Sequence, residues 1–229
     1  SIINIFHLLP PQADMFLNDL LLKIMLLEKR LRLQIDSPFR VPLAKYLNRF
    51  HTSVINYFKN NLSSRQLVLL FCSIIQKEGA KDLADDFEKE LYNFYDFYMT
   101  NIQSNQISVV SFFASIVDIF GALVNVRGEK WLVENRQMIF KLKDMLSFVL
   151  RTINENAFYI DSLQLHRTIE KFQLFYLRYM ELNKGDPTLL FDFIEFAHSI
   201  GFKLSHPFHN FIYDNIVTSN DMGQRNSYM

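Results

Sequence analysis

Apolar residues recur along this chain at helical spacing, and prolines and glycines break the pattern into segments. Phe16, Leu20, Ile24, Leu27 and Leu31 form one stripe at i, i+4, i+8, i+11 and i+15. Pro38 and Pro42 interrupt it, because the residue before a proline is pushed toward extended backbone and Pro42 suits a helix's first turn. A short helix is predicted over 42–49 and another over 53–62, the latter using Val54, Tyr57 and Phe58. Ser63 with Gln66 makes a capping box for a helix through Leu67, Leu70, Phe71 and Ile74, which Gly79 closes. The next stripe is Leu83, Phe87, Leu91 and Phe94, with Asp85, Asp86, Glu88 and Lys89 on the solvated side. After Gln103-Ser104-Asn105 come Val109, Phe112, Ile116, Ile119 and Leu123, ended by Gly128. Met138, Leu142, Met145 and Val149 mark another helix. Beyond Asn154-Glu155-Asn156 a long one carries Leu165, Ile169, Phe172, Tyr176 and Tyr179. Gly185-Asp186-Pro187 supplies terminator, N-cap and first-turn proline together. Leu190, Ile194 and Ala197 follow, then Gly201 as a stop, and Pro207 opens a helix with Phe208, Phe211 and Ile212.

No segment alternates convincingly with the period of a strand. The pattern predicts an all-α protein of about nine or ten helices, and their short connections predict antiparallel neighbours. No fixed residue period is visible. Helix pairs of a HEAT-like α-solenoid are degenerate enough to allow that, and a compact irregular bundle is the other arrangement open to these elements.

Composition narrows the class of function. Of the 229 residues 49% are hydrophobic and 15% aromatic, ample for a core, and Gly and Pro number six each, few for an all-β chain. Lys+Arg and Asp+Glu are both 24, so no global basic charge points to nucleic acid. The charge is uneven: residues 1–77 hold ten basic against four acidic side chains, and residues 78–101 two against seven. Such alternation is expected of differently charged solvated faces. The single cysteine, Cys72, excludes an internal disulfide and fits a reducing compartment as a small buried hydrophobe. The chain starts inside an apolar run and stops without a helix-ending signal, which suggests an excerpt from a longer polypeptide. Residues 107–126 are long enough to span a bilayer, but Asp118 at the centre would cost about 2.5–3.5 kcal/mol there. A buried helix is the expectation.

Candidate chemistry is sparse. Asp85-Asp86 with Glu88 and Glu90 faintly resembles the aspartate-rich motif with which all-α isoprenoid synthases hold diphosphate through magnesium. Lys89 stands where the next acid belongs, and no second motif faces it, so a solvated acidic face is expected. Glu195 and His198 have the Glu-x-x-His spacing of di-iron bundles, which need two such pairs and two further glutamates. His206 and His209 lack a carboxylate or thiolate nearby in sequence and are expected in a solvated loop. There is no Gly-rich phosphate loop, nucleophile elbow or HExxH. Trp131 and the cluster Tyr92, Phe94, Tyr95, Phe97 and Tyr98 are expected to fill grooves between helices, any exposed remainder serving as a partner patch.

One block carries more information than the rest. In Ser-Pro-Phe-Arg at 37–40, Pro42-Leu43 and Lys45-Tyr46-Leu47-Asn48-Arg49-Phe50, two prolines set a stiff corner that presents Arg40, Lys45 and Arg49. Together with Val54, Tyr57-Phe58 and Leu62, this block resembles the TRRAP family, the pseudokinase scaffolds of histone acetyltransferase complexes. Weaker likeness runs through 120–150, where Trp131-Leu132 stands out, and through 166–216. The resemblance implies that residues 1–229 are one segment of a longer HEAT-repeat α-solenoid, with no separate domain boundary inside it. It implies a nuclear, non-catalytic coactivator scaffold whose partners are acetyltransferase subunits and transcriptional activators. No cofactor, metal, small ligand, membrane or direct nucleic-acid contact is expected with it. Arg40, Pro42, Lys45 and Arg49 are expected to have a structural role at the corner, with docking of an acidic activation segment as the rival role. Two other functions compete: a cytoplasmic α-solenoid adaptor of trafficking or transport, and an all-α diphosphate- or lipid-processing enzyme.

Overall fold

The computed structural model describes residues 40–49, 51–59, 65–78, 80–101, 109–156, 162–183, 186 and 188–218. The stripe at 16–31, Ser63 and Gly79 lie outside them. The described residues form ten helices and no strand, which makes the fold class all-α. They are α1 Arg40–Arg49, α2 His51–Lys59, α3 Arg65–Glu78, α4 Lys81–Asn101 and α5 Val109–Arg127. Then follow α6 Glu129–Glu134, α7 Arg136–Asn156, α8 Ser162–Leu182, α9 Thr188–Ile200 and α10 His206–Thr218.

The helix ends follow their local chemistry. Gly128 takes φ +82° and its N–H bonds the Val124 carbonyl at 2.8 Å, the single bond that closes a helix with a left-handed residue. Gly201, at φ +73°, sits in the two-bond version: its N–H reaches the His198 carbonyl and the Phe202 N–H reaches that of Ala197. Phe202 then lies edge-on against Phe196, 5.6 Å between centroids, the apolar contact that accompanies this cap. Asp186 is the N-cap of α9, its carboxylate accepting the Thr188 N–H at 3.0 Å. α6 is an element the periodicity does not predict. A tight turn at Asn135, closed by the Met138 N–H on the Asn135 carbonyl, separates it from α7 without any proline or glycine.

The chain divides into two compact units, Ser1–Trp131 and Leu132–Met229. In the first, α1 packs on α3 and α3 on α5, while α2 packs on α4, so alternate helices stack in two layers. α4 and α5 are antiparallel: the Tyr98 hydroxyl near the end of α4 bonds the Val109 carbonyl at the start of α5, 3.1 Å away. At the opposite ends, Arg127 of α5 bonds Glu88 of α4 at 3.0 Å. The core of this unit is built on Phe58, whose ring stands edge-on to Phe71 at 5.3 Å and Phe87 at 4.9 Å and lies 5.9 Å from Phe94. α5 is buried around its whole circumference from Phe113 to Val124. The length that could span a bilayer is thus the central helix of a packed unit, and its Asp118 is neutralised by Arg65 of α3.

The second unit repeats the alternation: α7 packs on α9, α8 on α10, and α7 pairs with α8. That pair is antiparallel, since Phe140 early in α7 meets Tyr179 late in α8, 6.3 Å apart. Gln173 of α8, almost fully buried, spends its amide on the link between α9 and α10. It donates to the Lys203 carbonyl at 3.0 Å and accepts the Ser205 N–H at 2.6 Å.

Burial pushes the Tyr98 hydroxyl well above the usual tyrosine range. Tyr176 is also raised, by burial first and Asp192 second. A phenol that ionises near 10 when unfolded, and higher when folded, holds its proton more tightly in the native state. The contribution of these two groups to stability is therefore level below about pH 10 and declines above it, by roughly 1.4 kcal/mol per pH unit for each. Thermal melts should show this alkaline fall, and Tyr98→Phe should soften it. An unchanged slope in that variant would mean that Tyr98 is not one of the groups responsible.

Candidate functional site

The corner singled out from the sequence becomes α1. Its helix begins at Arg40, two residues earlier than the periodicity predicts, with Pro42 in the first turn, where the missing N–H has no helical partner to lose. Ala44 and Leu47 are buried and Lys45 and Arg49 are exposed. The side chains of Arg40 and Pro42 lie outside the described residues.

Within this helix Asn48 reaches across to α4. Its side-chain carbonyl accepts the Leu83 N–H at 3.1 Å, satisfying one of the orphan donors in the first turn of α4. Its amide nitrogen donates to Asp82 at 2.6 Å. An asparagine in one helix thus caps another that lies 35 residues further along the chain.

From that cap onward, the acidic first half of α4 is a seam and not the solvated face expected of it. Asp86 pairs with His51 of α2 and, at 3.4 Å, with Lys89. Asp85 and Glu88 both bind Arg127 of α5. Glu88 also accepts the Trp131 indole N–H of α6 at 2.7 Å. Burial works against the charge of Arg127, but the bond and charge of Asp85, then those of Glu88, outweigh it and raise the guanidinium pKa further. Four carboxylates of one helix therefore bind α1, α2, α5 and α6. Asp85 and Asp86, the aspartates that a diphosphate enzyme would turn toward magnesium, are held by Arg127, His51 and Lys89.

The remaining candidates scatter. Glu195 and His198 are both exposed on α9. His206 and His209 are exposed in the first turn of α10, helical where a loop is expected, and Asn210 donates to the His206 ring at 3.2 Å. Among the described residues, no group of three or more His, Cys, Asp or Glu is placed to hold a metal. Cys72 is buried. The aromatic cluster of α4 divides: Phe94 and Tyr98 enter the core, while Phe97 is exposed and stacks on Phe112 at 6.2 Å. Trp131 is buried against Phe120, 5.6 Å between centroids.

Alternate helices stacked in two layers within each unit, joined by polar seams, define an α-helical repeat protein of the solenoid class. The chain belongs to the Tra1 HEAT repeat ring region family, whose model matches residues 1–229. Over its whole length it is 59% identical to the SAGA complex/NuA4 acetyltransferase complex subunit TRA1 of Saccharomyces cerevisiae, and it spans 6% of that protein. It is 31% identical over 140 residues, 61% of the chain, to the probable transcription-associated protein 1 of Dictyostelium discoideum, spanning 3% of it. It is also 32% identical over 87 residues, 37% of the chain, to the human transformation/transcription domain-associated protein, of which it covers 2%.

Proposed function

We propose that this chain is a non-catalytic scaffold segment of a transcription coactivator subunit that works in the nucleus within histone acetyltransferase assemblies. The observation that carries the reading is the 59% identity, across the entire chain, to a subunit of the SAGA and NuA4 complexes. The seam of α4 supports it, because the conspicuous polar side chains are engaged in joining helices. In this reading residues 1–229 are one continuous segment of a longer HEAT array. Its partners are other acetyltransferase subunits and transcriptional activators, and it engages no cofactor, small ligand, membrane or nucleic acid directly. Arg40, Pro42, Lys45 and Arg49 have a structural role in orienting α1.

Affinity purification of the full-length parent from nuclear extract tests this. Acetyltransferase subunits should co-purify. Recovery of vesicle-coat or transport-receptor proteins in their place would favour the adaptor function. A Lys45→Glu/Arg49→Glu variant of the same parent separates the two roles of the corner. The structural role predicts faster hydrogen exchange in α1 with activator recovery unchanged. Salt-dependent loss of activators with α1 protection intact would assign the corner to docking.

A further inference from the structure

We draw no further inference here: the strongest candidate, the outward face of α8 where Leu163 and Leu174 are exposed among Arg167, Glu170, Arg178 and Glu181, carries nothing because nothing in the structure shows what covers it.

Discussion

Replacing Phe193 by alanine should cost the second unit about 3–5 kcal/mol, the range for deleting a fully buried aromatic ring. Phe193 has no exposed surface and is the hub of its unit's core. Its ring lies 4.2 Å from that of Tyr176 and 4.5 Å from that of Phe208. Phe172, Phe196 and Phe202 surround it at 6.1, 5.9 and 6.0 Å. These partners come from α8, α9, α10 and the link between the last two, so no single neighbour can move to fill the space. Hydrogen exchange should report faster opening of α8, α9 and α10, by roughly a hundredfold or more. Leu174→Ala is the control: that side chain is 47% exposed, and its loss should change stability by less than about 0.5 kcal/mol. Equal effects from the two substitutions would contradict the core described above.

The second large effect is expected at Arg65 and Asp118. The Asp118 side chain is only 6% exposed and that of Arg65 22%, and Arg65 also donates to the Ser115 hydroxyl at 3.4 Å. Removing one member of such a pair leaves a charge where water cannot solvate it, typically at a cost of about 3–5 kcal/mol. Arg65→Ala should therefore loosen the packing of α3 on α5 strongly. The double substitution Arg65→Met/Asp118→Leu should recover most of the loss, because buried ion pairs often replace well by apolar residues of similar volume. Exchange rates in α3 and α5 of the unmodified protein, Arg65→Met, Asp118→Leu and the double substitution form a cycle that measures the coupling. If Arg65→Ala behaved like an exposed pair, losing under about 1 kcal/mol, the pair would be solvated and the register of α3 on α5 would rest on packing alone.

What could be read from the sequence was what one helix determines for itself. The stripe from Val109 to Leu123, the stop at Gly201 and the cap at Asp186 all follow from residues within a turn or two of each other. The structure places each of them accordingly. The cap by Asn48, the clasp of Arg127 on Asp85 and Glu88, and the hold of Gln173 on the α9–α10 link join residues 30 to 42 positions apart. Periodicity carries no trace of such partners. The sequence predicts Asp85, Asp86 and Glu88 on a solvated face because an acidic run on an amphipathic helix looks the same whether water or a neighbouring arginine meets it. The break at Asn135 had no proline or glycine to announce it. The two-layer stacking was invisible for another reason: the helices differ in length from 6 to 21 residues, so no fixed period survives. Family membership is legible in the block at 37–50, but the reach of Asn48 to Leu83 and Asp82 of α4 is not, because both partners lie more than 30 residues away.

The most direct test of the scaffold assignment is transplantation. This segment, 59% identical to the matching stretch of the Saccharomyces cerevisiae subunit, would replace that stretch in the yeast protein. The chimaera would then be purified with its associated complexes and its subunits quantified. A scaffold segment of this family should support assembly, with SAGA and NuA4 subunits recovered at the proportions of the unmodified protein. A chimaera that is expressed and folded, with protected α3, α5 and α8, but that loses those subunits would contradict the account.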